Sequence, residues 1–429
     1  MAKEVDVPSG YTHKESESEV STCAESTWRS VNSNASDEGE TSRSSIRRSS
    51  INSLVLDSDL SLDPVIHSPF HTQRRASTRR TLKLRLNMAL EATEHLDKLE
   101  DGQTGGVYKV LEADPDPLAI FKPEGQEHFE RRGIPLGTGA AREEAAYILD
   151  RLVGSVAGVP VTVRAEVPTI AVEENLAEAD IRQRTCSGSV QRFVRAVVGA
   201  SEDFGMPREL TAAAAVVSLS VAQQIAAFDI RICNTDRHGG NLLFQKNANT
   251  DAHPSCQAAY KPIPIDHGCA LPRWWAMGEA NFEAWATWPQ VTVDCVPEVL
   301  ASIEEAFQKR DEAKRLMTEL GLEPAVLATY HIAARLLREG TIRHGFSLAV
   351  VAQLMSRDPY YAQEPSWLER QMAQCAAETG WDWHFEEDHR GDIFLTPPEE
   401  PGAWPPVDLL EKLEARFCDP LHLGHAGRN

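Results

Sequence analysis

The densest set of chemically active side chains lies in the segment 228–244, where an apolar helical pattern leads into a polar loop and then an apolar strand. Asp236 and Asn241 stand five positions apart in that loop. A carboxylate orients an attacking hydroxyl and a carboxamide oxygen helps to hold Mg²⁺ against phosphates, so this spacing is typical of phosphoryl transfer. His238 would be a second proton acceptor or would stabilise transferring charge. The alternative is a polar loop that only caps a core helix.

A second candidate is Asp266, which follows a short apolar strand and precedes a histidine and a glycine. By itself, Asp-His-Gly is only a turn signal. Here it comes 25 residues after Asn241, with the polar insert 246–261 between the two positions. We therefore predict two hairpin arms that bring Asn241 and Asp266 onto one metal ion.

Further parts of a phosphate site precede these segments. Lys122 ends a short apolar strand, and a half-buried lysine needs an anionic partner, either a nucleotide phosphate or the carboxylate of Glu143 or Glu144. The alternative is a lysine that reaches solvent past its own stem. Gly105 and Gly106 lack a Cβ, so their backbone amides can approach phosphate oxygens. The pair also suits an ordinary hairpin turn.

Two parts of the chain must position these residues. Before residue 199, short β-type segments surround one helical pattern. The strands are expected near 107–111, 118–122, 159–167 and 188–194, and the helix at 140–152. After residue 199 the pattern is helical, with Ser366 as the expected cap of one helix. The helices are expected at 210–228, 298–320, 324–338, 346–355 and 366–378. The fold class is therefore α+β.

Composition sets the domain limits. Residues 1–94 are rich in Ser, Arg and Glu and are expected to be a disordered tail, because they cannot bury enough apolar surface to offset chain entropy. A small β-rich lobe follows at 95–198 and a larger helical lobe at 199–380. Residues 381–429 contain two Pro-Pro pairs and are expected to form a loosely attached tail.

Charge and cysteine content exclude several classes of protein. The net charge of −21 over 429 residues argues against nucleic-acid binding, because phosphates would be repelled. Eight cysteines without a C-x-x-C pair do not make a disulfide scaffold, which favours reduced thiols and a cytoplasmic location. We find neither a signal peptide nor a run of 18 apolar residues. The sequence does not determine an oligomeric state.

One local region is basic. The segment from Arg74 to Arg85 carries four arginines before residue 81 and then Lys83. It suits either a solvated surface segment or peripheral contact with an anionic membrane, where each basic side chain contributes about 1 kcal/mol. The pair Trp274-Trp275 suits a membrane interface or, equally, a packed core.

Taken together and in this order, the motifs resemble the catalytic domain of phosphatidylinositol 3-/4-kinases, most closely the type II-related gamma group of phosphatidylinositol 4-kinases. The segments that carry the resemblance are Gly105–Tyr108, Ile120–Pro123, Arg142–Tyr147, Gln191–Val194, Asn234–Leu243, Ile263–Gly268 and Trp285–Gln290.

The resemblance implies a bilobal protein-kinase-like fold with ATP in the cleft and Mg²⁺ or Mn²⁺ as the metal. Gly105, Gly106 and Val107 would approach the phosphates. Lys122 would contact them and Glu143 would position Lys122. Gln191, Phe193 and Val194 would lie at the hinge beside adenine. The remaining roles are catalytic for Asp236, with His238 beside it, and metal-binding for Asn241 and Asp266.

The activity that the resemblance implies is transfer of the ATP γ-phosphate to the 4-hydroxyl of phosphatidylinositol in membranes. The motifs that bind ATP do not select the acceptor, so a protein Ser/Thr kinase is the first alternative. A pseudokinase adaptor is the second, and the joint presence of Lys122, Asp236, Asn241 and Asp266 argues against it.

Overall fold

The computed structural model describes residues 79–89, 96–99, 106–111, 117–127, 131–168, 185–247, 258–357, 364–381, 383–387, 393–396 and 398–419. Gly105, the basic residues 74–78 and the expected disorder of residues 1–78 lie outside this described part. In the described part, small sheets and a larger helical region form a mixed structure, which confirms the α+β fold class.

The first lobe is built on an antiparallel sheet in the order β1-β2-β3-β5-β4. Its strands are β1 Asp97–Lys98, β2 Tyr108–Val110, β3 Ala119–Pro123, β4 Thr162–Pro168 and β5 Thr185–Arg192. Helix α1, residues 79–89, and helix α2, Gly139–Leu152, complete the lobe. Leu82 and Leu86 of α1 share a core with Phe121 and Val190 of the sheet. The boundary expected at residue 95 therefore differs from the structure, in which α1 is already part of this core.

The second lobe contains a three-stranded sheet in the order β6-β7-β8 and most of the helices. The strands are β6 Val197–Ala200, β7 Leu242–Lys246 and β8 Tyr260–Pro264. The helices are α3 Leu210–Val216, α4 Leu219–Arg231, α5 Glu283–Ala286, α6 Pro289–Thr292, α7 Pro297–Gln308, α8 Arg310–Glu319, α9 Pro324–Arg338, α10 Leu348–Met355, α11 Trp367–Thr379 and α12 Val407–Cys418. A short hairpin joins β9 Phe385–Glu387 to β10 Ile393–Leu395.

Two predicted long helices are broken. The pattern over 210–228 predicted one helix, but α3 and α4 meet at an angle of 82° because Ser218 begins a new helix and accepts the amide of Val221 at 3.4 Å. The expected helix 298–320 is divided at Lys309, which leaves helical geometry at ψ 9°. Apolar periodicity does not report such breaks, because it continues across them.

No single described helix has the length and apolar character to cross a membrane; the bent pair α3–α4 passes that test only when its two helices are counted together.

Near the end of the second lobe, the predicted helix cap is confirmed and the predicted loose tail is wrong. Ser366 caps α11 as predicted, and Glu369 completes a reciprocal capping box. The expected loosely attached tail is wrong for residues 398–419, since Leu413 and Phe417 are fully buried in the main core.

The tryptophan pair belongs to the interior. Trp274 and Trp275 are 1% and 7% exposed, and their indole nitrogens donate to the carbonyls of Ala403 and Pro401, each at 3.0 Å. The sequence left a membrane interface and a packed core open for Trp274-Trp275, and the structure gives them the packed core.

Replacement of Leu413 tests the packing of α12. We expect Leu413→Ala to lower the free energy of unfolding by about 2–5 kcal/mol, because it removes a fully buried side chain. Urea titration would measure this, with Glu411→Ala on the exposed face of the same helix as the control, expected within about 0.5 kcal/mol of wild type. Equal stability of the two variants would show that α12 is only loosely attached.

Candidate active site

A lysine and two carboxylates from three separate segments meet in the cleft between the lobes. Lys122 Nζ lies 2.9 Å from Glu143 Oε1 and 2.9 Å from Asp266 Oδ1. The Lys122 side chain is 29% exposed, Glu143 is 3% exposed and Asp266 is 39% exposed.

Burial lowers the pKa of Lys122, but the Asp266 and Glu143 carboxylates outweigh burial and raise that pKa above its ordinary value. Burial raises the pKa of Asp266, yet contact with Lys122 lowers it overall. Both groups are therefore charged at neutral pH.

The pleat of β3 explains how Lys122 reaches this cleft. Successive residues of a strand point to opposite faces, so buried Phe121 faces the α1 side while Lys122 faces α2. Glu143 lies in the first turns of α2 and meets it there. The sequence left Glu143 and Glu144 open as partners. The structure pairs Glu143 with Lys122, while Glu144 pairs with Arg79 and Arg164.

Asp236 is held at the end of α4 by side-chain hydrogen bonds from its own loop. The amide of Asp236 donates to Asn234 Oδ1 at 2.9 Å, and Asn234 Nδ2 donates to Asp229 Oδ1 at 3.1 Å. Thr235 Oγ1 donates to the carbonyl of Cys269 at 2.6 Å, which ties this loop to the segment after Asp266. The Asp236 side chain remains 23% exposed toward the cleft.

Arg237 joins the two loops from within the core. It is fully buried, pairs with Asp229 at 3.0 Å, donates to the carbonyl of Ile265 at 2.8 Å and contacts the carbonyl of Asn241. Trp285 Nε1 donates to the same Asp229 carboxylate at 2.9 Å. Motif spacing alone attached no role to Arg237, because its partners come from three other segments.

His267 continues this chain toward Glu143. Arg237 lies 3.0 Å from His267 Nε2, and a guanidinium can only donate, so Nε2 accepts and the proton resides on Nδ1. Nδ1 lies 3.9 Å from Glu143 Oε2, too far for a hydrogen bond, and neither of these buried atoms has a hydrogen-bond partner among the described residues. Burial, helped by Arg237, lowers the pKa of His267 well below its ordinary value, so the ring is neutral. Arg237 thus contacts both Asp229 and His267, and Glu143 bonds to Lys122, while 3.9 Å separates His267 from Glu143.

Sequence reasoning missed Arg131. Its guanidinium crosses the cleft to Asp236 Oδ1 at 2.6 Å and donates to the carbonyl of Thr235 at 2.8 Å. The carbonyl of Gly133 accepts the amide of Arg273 at 2.8 Å, which fastens the same segment to the second lobe. Two arginines and a glycine shortly before α2 were the available signal.

The cleft between these groups has a cavity of about 80 Å³. Its walls include Gly106, Val107, Lys122, Glu143, Asp236 and Asp266, together with Gln126, Glu127, Ile134 and Pro135 from the segment before α2. Ligand pockets usually measure about 300–1,000 Å³, so entry of a ligand of that size requires these walls to separate. A Cβ on Gly106 would lie 1.6 Å from Gln126 Oε1, so a larger residue there would have to displace the Gln126 side chain.

The other predicted residues lie outside this cavity wall. Gln191 Nε2 donates to Thr162 Oγ1 at 3.0 Å within the sheet. The amide of Phe193 donates to the carbonyl of Leu118 at 3.1 Å, and Val194 follows in the link to β6. His238 lines a second cavity described below. Asn241 is nearly buried, and its Nδ2 donates to the carbonyl of Asp236 at 2.9 Å.

Part of the chain matches a known protein family. Residues 107–291 match the sequence model of the family described as phosphatidylinositol 3- and 4-kinase. This confirms the resemblance carried by the motifs: residues 107–291 are similar to the catalytic domain of that family.

The curated relatives that match the chain are named as phosphatidylinositol 4-kinases of the gamma group. Phosphatidylinositol 4-kinase gamma 4 of Oryza sativa subsp. japonica is 32% identical over 56% of this chain and 42% of its own length. Phosphatidylinositol 4-kinase gamma 8 of Arabidopsis thaliana is 29% identical over 63% of this chain and 49% of its own length. The chain thus spans less than half the length of these two relatives. Among solved structures, the Helicobacter pylori proinflammatory kinase CtkA is 12% identical, with a TM-score of 0.30 over 60% of this chain and 95% of its own.

Arg237→Ala tests whether the buried guanidinium holds the site together. We expect a loss of about 3–5 kcal/mol in the free energy of unfolding, because Asp229 would remain as an uncompensated buried charge. Denaturant titration would measure it against Arg315→Ala, which alters an exposed arginine on α8. A loss no larger than that of Arg315→Ala would remove Arg237 from this role.

Proposed function

We propose that this chain transfers the γ-phosphate of ATP to the 4-hydroxyl of phosphatidylinositol. The observation that carries the proposal is the meeting of Lys122, Glu143, Asp236 and Asp266 around one cleft, although they come from four separate segments. The family and the names of the curated relatives support a phosphoinositide acceptor.

The charged side chains of the cleft indicate where ATP, the phosphate donor, would bind. Lys122 would contact the phosphates of ATP, and Glu143 holds its ammonium group in the cleft. Gly106 and Val107 would bring backbone amides to the phosphates. Gln191, Phe193 and Val194 would lie at the hinge near adenine. Arg131, which now neutralises Asp236, would turn to the transferring phosphoryl group when ATP enters.

The donor set suits a hard divalent cation. Among the described residues, His, Cys, Asp and Glu form no group of three that could hold a metal. Asp266 and Asn241 nevertheless start from adjacent backbone, since the amide of Ile265 donates to the carbonyl of Asn241 at 3.1 Å. The nitrogen of the Asn241 carboxamide is already used, which leaves its oxygen for a cation. Asp266 and Asn241 would thus hold Mg²⁺ or Mn²⁺ through oxygen, together with ATP phosphates. When bound, the cation would neutralise phosphate charge.

In the proposed step, the acceptor hydroxyl oxygen forms a bond to the γ-phosphorus while the bond from that phosphorus to the β–γ bridging oxygen breaks. The electron pair of the broken bond stays with ADP, and the hydroxyl proton passes to the Asp236 carboxylate. Positioning and charge neutralisation supply the rate enhancement.

Membrane contact belongs to the same proposal. The described part of the basic segment Arg74–Arg85 lies on α1, whose outer face exposes Arg80 and Lys83. Leu84 and Met88 on that helix are each 60% exposed. Basic and apolar side chains on one helix face favour peripheral binding to anionic lipid.

Purified chain, ATP and Mg²⁺ would be incubated in parallel with vesicles that contain phosphatidylinositol and with a basic Ser/Thr protein substrate. We expect phosphatidylinositol 4-phosphate as the main product, identified by chromatography against the 3- and 5-phosphate isomers. Labelled protein without labelled lipid would replace this proposal by the protein-kinase alternative. Bound nucleotide without any product would indicate a pseudokinase.

Single substitutions test the assigned roles. Asp236→Ala, Asp266→Ala and Lys122→Met should each lower kcat/KM by roughly 10³-fold or more, because each removes a group that acts on the transferring phosphate. Initial rates of lipid phosphorylation would measure this, with Arg315→Ala as the remote control. A variant with a near wild-type rate would lose its role without affecting the assignment of the others.

A further inference from the structure

A second cavity lies on the other side of the loop that carries Asp236. It has a volume of about 480 Å³ and is formed by segments 201–208, 238–239 and 283–288. This volume falls within the range of small-molecule pockets, about 300–1,000 Å³. None of these segments contributes to the wall of the Lys122 cavity.

One part of the wall of this cavity is apolar, and another part, which we call the rim, carries exposed charged side chains. Phe204, Met206 and the nearly buried Trp288 form the apolar part, and Phe204 is fixed by stacking on Phe244 at 5.1 Å. The rim carries the exposed side chains of Glu202, Arg208 and Glu283. Among the residues that the structure describes, these three charged groups form no ion pair with one another or with a neighbour.

The loop 236–240 is the wall that the two cavities share. Asp236 lines the first cavity and His238, two residues later, lines the second. His238 Nδ1 accepts the amide of Gly240 at 3.1 Å, so Nε2 is the ring nitrogen left for a ligand. A Cβ on Gly239 would lie 2.7 Å from Glu202 Cβ, so glycine permits the rim to approach this loop closely.

We propose that this second cavity binds the acceptor headgroup, a ring polyol that carries one phosphodiester. The inference rests on the function proposed above and assigns the place of its second substrate. His238 lines this cavity and stands two residues from Asp236, so an acceptor held there would lie beside the loop that carries the catalytic carboxylate.

The mixed charges of the rim fit such a molecule. Glu202 and Glu283 accept hydrogen bonds from ring hydroxyls, and Arg208 pairs with the phosphodiester. Among the described residues, Arg208 is the only lysine or arginine that lines this cavity, so the phosphodiester would bind there. His238 Nε2 then faces the hydroxyl that reacts, beside Asp236.

The test compares rim variants in the full-length chain. Arg208→Ala and Glu283→Gln should each raise the KM for phosphatidylinositol in mixed vesicles about tenfold, while the KM for ATP changes less than twofold. Arg208→Lys keeps the charge and should recover part of the loss. Arg315→Ala, an exposed arginine on α8, is the matched control and should match wild type. Thermal unfolding midpoints within about 2 °C of wild type would exclude a folding defect.

A soluble probe separates headgroup recognition from general attraction to the vesicle. Glycerophosphoinositol should inhibit lipid phosphorylation by the wild-type chain competitively and should inhibit Arg208→Ala at least tenfold less. If the wild-type chain makes phosphatidylinositol 4-phosphate but the rim variants keep its KM and its inhibition constant, the acceptor site lies elsewhere and the proposed function stands. If the wild-type chain makes no lipid product, the proposed function fails and this assignment fails with it.

Discussion

A buried guanidinium is the constraint on which the site depends. Arg237 is completely enclosed, yet it pairs with Asp229 and donates to the backbone of the two loops that present Asp236 and Asp266. A buried charge is tolerated only when its partners satisfy it fully, so this arrangement leaves the two loops little freedom to shift independently. Their relative position is therefore set by the core of the second lobe rather than by anything bound in the cleft.

Three carboxylates lie close together in the cleft and are paired with cationic side chains. Glu143, Asp236 and Asp266 lie around one cavity and would repel one another without counter-charges. Lys122 pairs with two of them and Arg131 pairs with the third, so the two cations leave one negative charge uncompensated. The cavity is small in this arrangement, and the ion pairs Lys122–Asp266 and Arg131–Asp236 each join residues of the two lobes.

Much of the fold could be read from the chain, because several elements carry local signals. Helix α9, Pro324–Arg338, lies where the pattern placed it, since proline at its start fits the helix entry and the apolar stripe runs its full length. Ser366 and Glu369 form a cap through contacts only three residues apart. The breaks at Ser218 and Lys309 were missed because the apolar pattern continues through each of them.

The sequence by itself determined the order of the motifs, and with it the resemblance to the family, because the spacing of Asp236, Asn241 and Asp266 is a local property of the chain. Only the tertiary structure decided that Glu143, not Glu144, meets Lys122, because one residue along α2 turns a side chain by about 100°. The place of Arg131 on Asp236 was likewise decided by packing. Its partner is 105 residues distant, and no local pattern records a contact across that separation.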